Sequence, residues 1–409
     1  MGNLKTRLAS FHRDGGDKVI WFVVIALAIC SMILIYSAAS NQLFSPTERH
    51  VLWPYLTSHG VFLLLGLFIV YCFEKIDYRR YAPWTRICYI AALILLLCTI
   101  LMGSESGGAH RSLAIFGHEF QTFYVVVLLV LVYAAHSLAR MGDSINDISR
   151  VYLPFLCTIL IPVLGLMTQN VSTGLILLIT CFFMLFISRL KFTNLVLTVG
   201  VMAVVCGILI ATSGFGISAL GRFATVHNRM ERFFSDSERK DVKTYVAEMR
   251  DADVDNIRQD VQLEGAVSTG GILPVNGPGS SIYSKTPQIY SDCIFALAVE
   301  EYGVLLSSLL ILIYLLLFYR IFLMVHHVPT PFGVYLAGGL GFWIVFQAFV
   351  HISVCTGVFP NTGQTLPMVS WGNVSILVTS VCFGILLNIS KSKKHRSDGR
   401  ADMKGVENE

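Results

Sequence analysis

The sequence predicts an all-α, polytopic integral membrane protein with ten transmembrane helices and one large extracytoplasmic loop between the seventh and eighth. Three observations predict it. The 409 residues are 55% hydrophobic and only 14% charged, with a mean hydropathy of +0.67, whereas soluble domains carry about a quarter charged residues. The apolar residues fall in long continuous runs rather than the alternating pattern of a β-barrel. Lys and Arg are distributed unequally between alternate connecting segments. A soluble enzyme, a collagen-like chain, a disordered chain and a disulfide-stapled domain are all excluded by this composition. A net charge of +4 from 30 basic and 26 acidic residues is too balanced for a nucleic-acid binder of this size.

A bilayer crossing needs about 20 mostly apolar residues. Ten runs qualify, centred on Val19–Tyr36, Tyr55–Phe73, Ile87–Met102, Phe120–His136, Val151–Met167, Thr173–Ser188, Phe192–Thr212, Cys293–Tyr319, Pro331–Ser353 and Val374–Ile389. The first is long enough to span and lacks an A-x-A cleavage site, so it is expected to stay as a helix. The fifth and sixth meet at a very short turn near Gln169–Ser172. Residues 1–18 then form a cytoplasmic N-terminus, 19–390 the membrane domain, and the polar 391–409 a disordered cytoplasmic tail.

Orientation follows from the basic residues. With the N-terminus inside, the inner segments hold 19 Lys and Arg, among them Lys75, Arg79, Arg80, Arg86, Arg140 and Arg320, while the short outer loops hold only Arg49 and Arg111. Both termini are therefore expected in the cytoplasm, which requires an even number of spans. The outer segment 213–291 holds the other nine basic residues and ten acidic ones. Its Met230, Phe233, Phe234, Val242, Tyr245 and Met249 predict an amphipathic helix near the outer surface. The ten cysteines form no CxxC and no Cys/His cluster, so no zinc or redox site is predicted. Those inside the runs behave as small hydrophobes.

Ionisable or irregular segments near the hydrocarbon are functional candidates. The first is Ser291-Asp292-Cys293-Ile294-Phe295-Ala296 followed by Glu300-Glu301-Tyr302-Gly303. Asp292 stands at the outer mouth of the eighth run, and Glu300 lies eight residues on, about 12 Å deeper. Taken alone, Asp292 reads as a helix N-cap, which Asp favours, and the glutamates as partners of a buried base. The second is Phe359-Pro360-Asn361-Thr362-Gly363 with Leu366-Pro367-Met368-Val369-Ser370-Trp371-Gly372. Its prolines and glycines break any helix, and irregular backbone at that depth must be buried in protein or line a wet cavity. The third is His110-Arg111 after Gly107-Gly108, a candidate anion site because Arg grips phosphate bidentately.

Together these motifs resemble the SEDS family of shape, elongation, division and sporulation proteins. Tyr36-Ser37-Ala38-Ala39-Ser40 resembles the YSAS ending of the first helix in FtsW-type members, and Arg229-Met230-Glu231-Arg232-Phe233-Phe234 the RxxR-aromatic loop motif. Gly270-Gly271 through Gly277-Pro278-Gly279-Ser280-Ser281 resembles the GxGxGxS stretch. The Asp292 segment is similar to TDFIFAxxxEExG, and the Pro360 segment to PxTGxxLPFxSYGG. Three departures stand out. Gln121-Thr122-Phe123-Tyr124, with Val127 beyond, replaces the QPSE and Lys of the fourth helix; Asn170 replaces the Asp of DLGT; Asn373-Val374-Ser375 replaces GGSS.

The resemblance implies a peptidoglycan glycosyltransferase that polymerises lipid II at the outer face of the cytoplasmic (inner) membrane. It also implies a class B penicillin-binding transpeptidase and other divisome membrane proteins as partners, and the FtsW-type features point to septal synthesis in cell division. Asp292 matches the family's proposed catalytic residue. The step needs a base for the attacking sugar hydroxyl and cations for the leaving diphosphate. Arg111, Arg229, Arg232 and Lys285 are the outer-face cations suited to that, with Ser281 beside them. Glu300, Glu301, Asn170, Thr362 and Ser370 are the supporting polar residues. Arg229 and Arg232 could equally pair with Glu231 or Asp236. A divalent cation, Mg or Mn, is compatible with one carboxylate plus substrate phosphates. Two other functions fit the sequence: a lipid II flippase, with a polar route through Glu300, Glu301, Gln347, His351 and Asn373, and a weakly catalytic scaffold that activates a transpeptidase.

Overall fold

The computed structural model describes residues 16–42, 52–106, 109–115, 118–188, 190–200, 207, 263, 265–273, 277, 290–360 and 362–406. The apolar runs fold as α1 (Lys18–Gln42), α2 (Leu52–Lys75), α3 (Thr85–Met102), α4 (Phe123–Met141), α5 (Leu153–Gln169), α6 (Val171–Ile187), α7 (Ile294–Val325), α8 (Pro331–Cys355) and α9 (Asn373–Val406). Residues 192–200 are helical as well. Seven of the described helices are long and apolar enough to cross a bilayer. α5 and α6, of 17 residues each, are about 25 Å long and fall slightly short of the hydrocarbon thickness.

Several of these helices stay apolar on faces that the protein does not bury. Phe22, Ile25, Ile29, Ile33 and Tyr36 form one exposed stripe on α1, and Ile87, Ile90, Ile94, Leu97 and Leu101 another on α3. Exposed apolar stripes of this extent mark a membrane contact. The opposite faces pack inward. α8 lies centrally, against α4, α6, α7 and α9, while α9 also packs along α2 and α7 along α1.

The two ends of the described chain meet at one end of the bundle. Gly16 N donates to Glu74 Oε1 at 2.7 Å, and Lys391 Nζ reaches the same oxygen at 3.1 Å. Asp17 N donates to Ser390 Oγ at 2.9 Å, and its carboxylate pairs with Arg320 at 2.5 Å.

Two features differ from the sequence expectation. The chain is not wholly α-helical: β1 (Ser104–Ser106), β2 (Ala109–Ile115) and β3 (His118–Phe120) form an antiparallel sheet between α3 and α4. Glu105 is opposite His110 and Ala114 opposite Glu119. Gly107-Gly108 and Phe116-Gly117 separate the strands, the spacing of two-residue hairpins. Arg111 therefore sits on a strand. α9 runs on to Val406, through the segment whose polar composition predicts disorder. The seventh run beyond residue 200, and most of the 213–291 loop with its expected amphipathic helix, lie outside the described residues.

Candidate functional site

α7 begins at Ile294 with Cys293 as its N-cap residue, and Cys293 makes no side-chain capping bond. Asp292 thus stands one residue before the cap position, in a turn formed by residues 290–293. Its side chain is half-buried. Ser291 Oγ donates to Asp292 Oδ1 at 2.9 Å. The other carboxylate oxygen faces Gly363: a Cβ at Gly363 would lie 3.5 Å from Asp292 Oδ2.

Gly363 belongs to an irregular segment that returns into the bundle between α8 and α9. Such backbone survives at membrane depth only if its polar groups find partners inside the protein. Tyr314 of α7 donates to the Pro367 carbonyl at 2.6 Å, and Ser31 of α1 to the Val369 carbonyl at 2.8 Å. Val369 N closes a turn on Leu366 O at 3.1 Å, with Pro367 and Met368 at its centre. Pro suits the first central position, but the second has φ +63° at Met368, where glycine or asparagine is usual. Two bonds stitch this segment to the Asp292 turn. Ser370 Oγ accepts from Leu366 N at 2.8 Å and donates to the Ser291 carbonyl at 2.6 Å, and Trp371 N donates to the Tyr290 carbonyl at 2.9 Å. The segment and the mouth of α7 are one unit.

Beneath Asp292 lies a buried polar floor. Tyr124 of α4 bonds Thr365 Oγ1 at 2.5 Å, Thr365 Oγ1 meets Ser375 Oγ at 3.1 Å, and Gln347 Nε2 donates to the Thr365 carbonyl at 3.0 Å. His351 Nδ1 lies 2.7 Å from the Gln364 carbonyl. A carbonyl only accepts, so Nδ1 carries the proton and Nε2 is free to accept. The Cys355 thiol lies 3.5 Å from that Nε2 and 3.9 Å from the Asp292 carbonyl. The Thr362 hydroxyl is buried with no hydrogen-bond partner among the described residues.

The fold agrees with what comparison with known proteins finds. The family model FtsW/RodA/SpoVE, described as a cell cycle protein, matches residues 17–395. The chain belongs to this family. A Geobacter sulfurreducens protein named probable peptidoglycan glycosyltransferase FtsW is 27% identical over 381 residues, covering 92% of this chain and 96% of that one. The stage V sporulation protein E of Bacillus subtilis is 23% identical over 390 residues, covering 93% and 98%. Among solved structures, a chain from a study of polymerization and crosslinking by a peptidoglycan synthase complex superposes with a TM-score of 0.71 at 22% identity, covering 92% of this chain and 98% of its own. The Thermus thermophilus rod shape determining protein RodA does so with a TM-score of 0.62 at 22% identity, covering 92% and 97%.

Within this family member, the residues expected at the site are only partly brought together. Asp292, Thr362 and Ser370 lie on the two stitched segments. Asn170 caps α6, accepting from Ser172 N at 3.1 Å and Thr173 N at 3.4 Å, and joins the floor through Gln364 Nε2, which donates to Thr173 Oγ1 at 2.9 Å. Glu300 and Glu301 are buried deeper on α7, and Glu301 accepts a hydrogen bond from Ser37 of α1. They stand away from the mouth. Arg229, Arg232, Ser281 and Lys285 lie outside the described residues, and of Arg111 only the backbone is described.

The floor residues Tyr124, Thr365 and Cys355 carry no role in the sequence reading. The signal that could have found part of it is Gln347, His351 and Cys355 at intervals of four, one face of α8. No group of three His, Cys, Asp or Glu able to hold a metal occurs among the described residues. Among them Asp292 would be the single carboxylate ligand of a divalent cation, whose other ligands would come from substrate phosphates and water.

Proposed function

We propose that this protein polymerises lipid II into glycan strands at the outer face of the cytoplasmic membrane, with Asp292 as the general base, in septal wall synthesis. The observation that carries the reading is the Asp292 carboxylate, half-buried at the mouth of α7, with one oxygen accepting from Ser291 and the other 3.5 Å from where a Cβ at Gly363 would lie. The names of relatives that align over more than nine-tenths of the chain support it. In this reading the acceptor sugar hydroxyl enters beside Gly363 and gives its proton to Asp292 as its oxygen attacks the donor's anomeric carbon. The lipid diphosphate leaves, neutralised by Arg111, Arg229, Arg232 and Lys285. Ser370 and the Thr365 floor hold the carboxylate's surroundings rigid.

The arrangement in the membrane is ten spans with both termini in the cytoplasm. The meeting of Gly16 and Lys391 on Glu74 and the basic inner segments support it. The partner is a class B penicillin-binding transpeptidase, in line with the synthase complex whose chain shares this fold.

Asp292→Asn keeps the size of the side chain and removes the base. The purified variant, supplied with lipid II and the transpeptidase, should bind its partner and polymerise at least about 10²-fold more slowly than the wild type. Normal polymerisation by Asp292→Asn would overturn the assignment. A silent variant that still activates crosslinking would point to the scaffold function, and intact polymerisation with lost lipid II translocation to the flippase.

A further inference from the structure

α8 links the Asp292 site to a second one at its other end. Its 25 residues run from Pro331 to Cys355, about 37 Å. At the Pro331 end is a cavity of about 270 Å³ lined by Arg79, Ala82, His136, Ala139, Arg140, Thr330, Pro331 and Phe332. Three cationic or titratable groups from two different elements converge there. Arg79 comes from the 3₁₀ turn Tyr78–Trp84, and His136 and Arg140 from the last two turns of α4. Neither arginine forms a salt bridge among the described side chains. Asp77, the nearest acid in sequence, turns a carboxylate oxygen to Arg79 N at 3.0 Å.

The wall of the cavity is fixed. Thr330 caps α8, accepting from Gly333 N at 3.3 Å, and its hydroxyl is held by Tyr78 OH at 2.7 Å. Phe332 packs edge-on against the His136 ring at 5.7 Å. The positive end of a long helix therefore points at the same space as the two guanidinium groups. The exposed Trp84 and Ile87, which follow the Arg79 turn, set the depth. Tryptophan concentrates where headgroups meet hydrocarbon, so the cavity opens at headgroup level, on the basic and hence inner side.

We propose that this cavity binds the phosphate group of an anionic phospholipid from the cytoplasmic leaflet. Two arginines with no salt bridge among the described side chains, Arg79 lying over the Tyr78 ring at 5.8 Å, match a phosphate diester at a helix N-terminus, and basic pockets between transmembrane helices on this side favour such headgroups. Topology alone asks only that Arg79 and Arg140 be cationic on the inner side. The cavity adds a place where both act on one ligand.

The test uses the purified full chain and native mass spectrometry, titrating phosphatidylglycerol against phosphatidylcholine. The wild type should retain phosphatidylglycerol preferentially. Arg79→Gln with Arg140→Gln should weaken that retention about 30-fold, and Arg140→Gln alone about fivefold, as expected for independent basic contacts near a membrane surface. Arg80→Gln, on the same turn but outside the cavity lining, should leave it within twofold. Equal loss on Arg80→Gln would show diffuse attraction and overturn the site, as would full retention by the double variant. The single variant decides the matter if the double one does not fold. Inorganic phosphate, added to the wild type with phosphatidylcholine only, should not raise thermal stability as phosphatidylglycerol does; equal stabilisation would assign the cavity to a soluble phosphate and overturn the lipid.

Discussion

Replacing Gly363 by alanine isolates the contact on which the proposed chemistry turns. Gly363 has φ +61°, a left-handed conformation that costs a residue with a Cβ about 1–2 kcal/mol. The new methyl carbon would lie 3.5 Å from Asp292 Oδ2, ordinary van der Waals contact, so no clash adds to that figure. The methyl would nonetheless occupy the side from which, in the proposed reaction, the sugar hydroxyl comes within about 3 Å of the same oxygen. Displacing a reacting group by about 1 Å costs up to 10²-fold in rate. Gly357 is the control, exposed in the turn that ends α8 with φ +70°, so its alanine variant carries the same backbone cost. Thermal unfolding in detergent should show both variants lowered by similar, small amounts. In lipid II polymerisation with the transpeptidase present, Gly357→Ala should keep most of the wild-type rate and Gly363→Ala should lose about tenfold to 10²-fold. Equal rates for the two variants would refute the idea that Asp292 works through its Gly363 side.

Three further outcomes are expected. Gly303→Ala should be severely destabilising, by about 2–5 kcal/mol, because φ is +76° and a Cβ would sit 2.8 Å from the Leu273 carbonyl carbon; loss of folded protein on detergent gel filtration checks it. Ser370→Ala strips the Ser291 carbonyl and Leu366 N–H of their shared partner and should cost about 1–3 kcal/mol in thermal unfolding, with a fall in polymerisation that Ser370→Thr partly restores. Tyr124→Glu should destabilise by about 3–5 kcal/mol, and Val127→Lys added to it should recover part of that loss in a double-mutant cycle on thermal stability.

The helices, their order and the break between α8 and α9 were legible because hydropathy and proline position report local physics. Asp292 was legible as chemistry only through resemblance; by itself it read as a cap, and only coordinates assign the cap position to Cys293. The sheet was missed because a search for long apolar runs passes over strands of three to seven residues, although the Gly107-Gly108 pair is a hairpin signal. The support of α7 was beyond the sequence. Gly303 breaks the helix, and the freed Val304 and Leu305 N–H groups are taken by the Gly271 and Ile272 carbonyls at 3.0 and 3.2 Å. Nothing local to Glu300-Glu301-Tyr302-Gly303 says that the distant Gly270-Gly271 pair must lie there. The close approach explains why residue 270 is glycine, since a Cβ at Gly270 would fall 2.3 Å from the Val299 carbonyl oxygen.

The departure at the fourth helix can now be weighed. Tyr124 and Val127 occupy the positions where SEDS-like sequences carry Glu and Lys, three residues apart and so on one face of α4. Both are buried, Tyr124 with its hydroxyl on Thr365 and Val127 at 0% exposure. An acid and a base lost together leave the net charge near Asp292 unchanged, and a buried ion pair replaced by well-packed residues is often neutral or stabilising. Losing either one alone would have left an uncompensated charge in the bundle. The pair of changes therefore amounts to a repacked wall that still donates or accepts at Thr365, and through Thr365 it still meets Gln347 and Ser375. What the exchange removes is a pair of charged groups beside the floor. In the proposed reaction the proton is taken by Asp292.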